Sequence, residues 1–157
     1  MKKIIGIILF ILPITFIFFS DKIFIGNKSL NNVFLMIASI LVVGTVYFIL
    51  EAIFKKNPNF LGKGIWKNPF NLIIIGTFLL FALSMTFLLL FNTYDLSKHP
   101  NLNRSVTFLL AYPTVFVLEV MVIGFYKILL PKNSGKDLLV KSSYTILLIL
   151  LALLLFN

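Results

Sequence analysis

The sequence predicts an all-α, polytopic membrane protein: a bundle of five transmembrane helices with the N-terminus inside and the C-terminus outside. Three observations predict it. Of the 157 residues, 60% are hydrophobic and only 12% are charged, whereas soluble domains carry about 25% charged residues. The apolar residues arrive in blocks of membrane length, with Lys, Asn, Pro, Gly and Asp gathered between them. These blocks are too long and too uniformly apolar for the alternating strands of a membrane barrel. In hydrocarbon the backbone must then satisfy itself within each segment, which makes the segments helices.

The first segment, Ile4 to Phe19, follows Lys2 and Lys3 and resembles a signal peptide in outline. Its apolar run exceeds the usual ~7–15 residues of such a peptide, and Phe18-Phe19-Ser20 lacks the small residue that cleavage requires. A retained helix over about 4–25 is expected, since sixteen residues alone reach only about 24 Å. The second, Val33 to Phe54, ends at Lys55-Lys56. Asn68-Pro69 opens the third, Phe70 to Phe91, with a capping residue followed by proline. The fourth runs from Ser105 to about Leu130 and stops at Pro131 and the polar turn Lys132 to Lys136; its Lys127 can snorkel to the interface. The fifth, Leu138 to Phe156, holds Lys141 near its start and is otherwise almost pure Leu and Ile. All of this forms a single membrane-embedded domain over 1–157.

The formal charge is +9, from 14 Lys plus Arg against 5 Asp plus Glu. The basic residues form short clusters beside apolar spans, so they point to anionic headgroups and topology and not to nucleic acid. With the N-terminus inside, Lys2, Lys3, Lys55, Lys56, Lys63, Lys67, Lys127, Lys132, Lys136 and Lys141 fall on the inner side; Lys22, Lys28, Lys98 and Arg104 fall outside. Excess positive charge marks the inner side. The loop between the second and third segments repeats itself, Lys56-Asn57-Pro58-Asn59-Phe60 and Lys67-Asn68-Pro69-Phe70. With Trp66 and its lysines it suits the headgroup layer.

Glu119 is the informative residue, because Val106 to Tyr126 is otherwise uncharged. A carboxyl near mid-membrane needs a protein partner, a water-lined cavity or a bound proton. Lys127 lies eight residues, about 12 Å, further along, so nothing in its own helix neutralises it. Tyr112 and Tyr126 stand seven residues to either side and share its face. Candidate partners on other helices are Tyr47 and Thr45 on the second and the Thr77 to Ser84 face of the third. Glu51, by contrast, precedes Lys55 by one turn near the inner surface, as a local pair or as the lining of an inner mouth. Pro113 and Pro13 interrupt the backbone ladders of their helices. Gly44 and Gly76 offer close approach of the second and third helices, and Gly124 does so for the fourth.

Absences narrow the chemistry. There is no cysteine, no His-Glu-x-x-His run, no nucleophile elbow and no phosphate loop. The single histidine, His99, has only Asp95 near it in sequence. No catalytic, cofactor or metal site is expected. The composition and spans predict a small structural, accessory or assembly component of the cell membrane, acting through intramembrane helix contacts with itself or a partner subunit. The alternative is a transporter or channel subunit in which Glu119 couples to a proton or cation.

Overall fold

The computed structural model describes residues 28–57, 59–95, 98 and 100–155. Among them are four α-helices, α1 (Lys28–Lys56), α2 (Pro69–Thr93), α3 (Pro100–Leu129) and α4 (Gly135–Leu155), with 3₁₀ turns at Phe60–Gly62 and Gly64–Lys67 between α1 and α2. The boundaries follow local chemistry. Lys55 and Lys56 close α1, at the end where the helix dipole favours cations. Asn68 caps α2 by accepting from the Phe70 N–H at 3.0 Å, with Pro69 in the first turn. At its other end Tyr94 donates its N–H to the Leu90 carbonyl, and Asp95 takes a left-handed backbone with φ of 46°.

α3 starts at Pro100, five residues before the expected Ser105, because proline fits the first turn where no N–H is required. It remains helical through Pro113. Ser134 begins α4: its hydroxyl meets Asp137 Oδ2 at 2.7 Å and accepts the Asp137 N–H at 3.2 Å, a reciprocal cap. The Ser134 hydroxyl holds the Asp137 carboxyl below its usual range.

The five-span bundle is corrected by these helices. Among the described residues, three stretches have the length and composition to cross a membrane: Leu35–Lys56, Pro69–Thr93 and Leu109–Leu129. α4 is not among them; its described charge-free stretch after Lys141 is short of the ~20 residues that a crossing takes. The predicted first helix over 4–25, with Pro13, and the loop residue His99 lie outside the described residues. The N-inside, C-outside orientation was counted over all five spans and loses that basis.

Packing centres on α1, α3 and α4. Val42, Val43, Val46 and Leu50 of α1 meet Val115 and Ile123 of α3 and Leu138, Leu139 and Ile146 of α4. α2 packs on α3 and buries only Leu72 and Gly76. The small residues belong to this α2–α3 contact, and not to an approach of α1 and α2 as expected. A Cβ on Gly76 would collide with Met121 Cγ and Sδ; one on Gly124 would stand 3.1 Å from Leu72 Cβ and from the Pro69 carbonyl oxygen. Gly44 has open space where a Cβ would go. Elsewhere the surface is apolar, with Phe78 72% and Leu89 67% exposed.

Candidate functional site

Glu119 sits on the face of α3 that meets α4, and it is completely buried, at 0% exposure. Its partner is Ser142 of α4, whose Oγ lies 2.5 Å from Glu119 Oε2 and 2.9 Å from the Leu139 carbonyl. A serine hydroxyl has one proton to donate. Both contacts are satisfied together when Glu119 carries a proton on Oε2, donates it to Ser142 Oγ, and Ser142 donates onward to Leu139. An uncharged carboxyl is also the form that a sealed, low-dielectric site tolerates. The second oxygen, Oε1, has no hydrogen-bond partner among the described residues. Ser143 is close to the carboxyl, but its hydroxyl bonds the Leu139 carbonyl at 3.0 Å.

Tyr126 joins the same interface, its hydroxyl 2.8 Å from Thr145 Oγ1. Glu119 and Tyr126 are seven residues apart on α3, yet Ser142 and Thr145 are only three apart on α4. Tyr112, on the same face, packs half-buried against the core. The three-residue face expected on α3 therefore points into the bundle.

The other candidates lie elsewhere. Tyr47 packs against the core and stacks edge-on with Phe48, at 5.7 Å between ring centroids. It lines a groove between α1 and α4, with Gly44, Ser143 and Tyr144. Thr45 is buried and donates to the Leu41 carbonyl. Thr77 and Ser84 are exposed on α2 and donate to Ile73 and Leu80, one turn back, so the α2 face does not reach Glu119. Glu51 and Lys55 form the local pair, at 2.7 Å.

Two contacts were not legible in the sequence. That of Ser142 with Glu119 is one: Leu138, Leu139, Ser142 and Ile146 follow a helical stripe and all four are buried. A small hydroxyl inside an apolar stripe is the signal that could have found it. The second is the set of acceptors that receives Lys127, whose ammonium donates to the carbonyls of Leu61 at 2.5 Å, Trp66 at 2.8 Å and Lys67 at 3.0 Å. Its three donors are thus matched by three acceptors, and the α1–α2 loop is fastened to the end of α3. Among the described residues, no three His, Cys, Asp or Glu side chains gather as a metal site would need.

Large apolar side chains outside, a sealed carboxyl inside and membrane-length helices define a multi-pass helical membrane protein. It is a small bundle of packed helices. Comparison with family models, with curated proteins and with solved structures gives no match for this chain.

Proposed function

We propose that the protein is a structural, accessory or assembly component of the cell membrane, working through helix contacts inside the bilayer. The sealing of Glu119 carries this reading. A carboxyl that loads and releases an ion needs a route to water, whereas Glu119 is wholly buried and bonded to a neighbouring helix. It lines neither the α1–α4 groove nor the cavity in the α1–α2 loop. Bonds of this type hold membrane helices together at about 0.6–2 kcal/mol each. The outward face of α2, with Phe70, Phe78 and Phe81 more than half exposed, supports contact with a second copy or a membrane partner subunit.

A second reading rests on one observation, the unpartnered Oε1: proton or cation coupling at Glu119, as a transporter or channel subunit. Liposomes containing wild type, Glu119→Gln or Glu119→Ala separate the two. The accessory reading expects proton and cation flux at the level of empty liposomes for all three proteins, with retention of copies or partners weakened in Glu119→Ala. Flux in the wild type that Glu119→Gln abolishes, with assembly intact, overturns it.

A further inference from the structure

The α1–α2 loop encloses a cavity of about 400 Å³ lined by Lys56, Asn57, Asn59, Phe60, Lys63 and Trp66, with Gly64 completing the wall. We propose that it binds the phosphate of an anionic phospholipid headgroup. This site is separate from Glu119 and does not depend on how that residue functions.

Charge is the first argument. Lys56 and Lys63 have no acidic partner within ion-pair distance among the described residues, while Glu51, the acid at this end of α1, pairs with Lys55. Two ammonium groups on one cavity leave positive charge that an anion can neutralise. The neutral donors fit as well. Asn59 heads the first 3₁₀ turn without making a side-chain cap bond, so its amide remains open to a ligand.

Position is the second. The loop joins the charged end of one membrane-length helix, Lys56, to the start of another, Pro69, which places it at headgroup depth. Phe60 and Trp66, with ring centroids 4.3 Å apart, form an apolar wall beside the lysines. That combination matches a lipid, whose phosphate and glycerol adjoin its hydrocarbon, better than a free ion.

Preorganisation is the third. Carbonyl oxygens would repel a phosphate, but those of Leu61, Trp66 and Lys67 are engaged by Lys127, which is not part of the cavity wall. Gly64 turns the chain at φ of +55°, with no atom within 4 Å of where a Cβ would project. The volume lies within the few hundred Å³ typical of small-ligand sites.

Trp66 is the chain's single tryptophan and supplies the readout. Purified protein in neutral detergent is titrated with phosphatidylglycerol, phosphatidylcholine or inorganic phosphate while Trp66 emission is followed, and native mass spectrometry counts retained lipid. The expected result is a saturable response to phosphatidylglycerol, with Lys56→Gln/Lys63→Gln weakening it about tenfold or more. Lys132→Gln/Lys136→Gln, which removes equal charge outside the cavity, leaves the response unchanged. An equal response to phosphatidylcholine, or equal weakening by the two double variants, overturns the site. Inorganic phosphate that reproduces the wild-type response and competes with the lipid overturns the lipid assignment.

Discussion

Removing the Ser142 hydroxyl is the most direct test of the α3–α4 contact. Ser142 and Glu119 are both fully buried, and Oε1 is already without a partner. Ser142→Ala therefore leaves the whole carboxyl group unsatisfied inside the bundle. A buried polar group stripped of its hydrogen bond costs about 1–3 kcal/mol, and cross-helix bonds in membranes measure about 0.6–1.7. Together these place the loss at about 1–2 kcal/mol. Glu119→Leu/Ser142→Ala removes both polar groups and keeps an apolar side chain in the space, so it should lie within about 1 kcal/mol of wild type. The double variant is then more stable than Ser142→Ala alone. Reversible unfolding in mixed micelles, followed by far-ultraviolet circular dichroism, gives all three free energies. A Ser142→Ala protein as stable as wild type, or a double variant less stable than Ser142→Ala alone, would refute the hydrogen-bond argument.

Lys127→Met keeps the side-chain stem but removes three donors, so about 2 kcal/mol of loop anchoring should be lost and hydrogen exchange over 60–67 should accelerate relative to α3. Gly124→Val places a branched side chain against Leu72, Ile73 and the Pro69 carbonyl; overpacking of about 1–3 kcal/mol is expected, and cross-linking between cysteines introduced on α2 and α3 should fall while α3–α4 cross-linking persists. Because the folded Asp137 carboxyl titrates below its unfolded value, its stabilisation is present above the unfolded pKa and disappears as pH falls through the folded one. Acid should loosen the start of α4 in exchange measurements, and Ser134→Ala should weaken that pH response, with Lys136 and Lys141 still acting on the carboxyl.

The helical segments were legible because membrane-length apolar runs and capping residues act locally. Asn68-Pro69 opens α2 as its chemistry requires, and Glu51 finds Lys55 one turn away. Glu119 was legible as a residue needing a partner on another helix, since no neighbour within its own helix could serve. Which helix was not. Tyr47, Thr77 and Ser84 offered the same chemistry as Ser142, and only packing of α3 between α2 and α4 selects among them. The hydroxyls of Thr77 and Ser84 could also satisfy themselves one turn back, which removes them as donors without any tertiary contact. The count of five spans exceeds the three candidates among the described residues: the charge-free part of α4 after Lys141 is short for a crossing, and the expected first helix lies outside those residues. Lys127 was legible as a cation reaching for the interface, but the carbonyls that receive it were not, because their convergence depends on how the loop folds.

The Lys127 clamp also imposes an order in time. Leu61 and Lys127 are separated by 66 positions, and at ribosomal rates of about 5–20 residues per second the loop waits roughly 3–13 s for the side chain that fastens it. During that interval α1 and α2 have been made, but the carbonyls of their connection have no ammonium to meet. Only when the end of α3 leaves the ribosome can the loop close, so this contact is a late latch on a bundle whose earlier helices must already be in place.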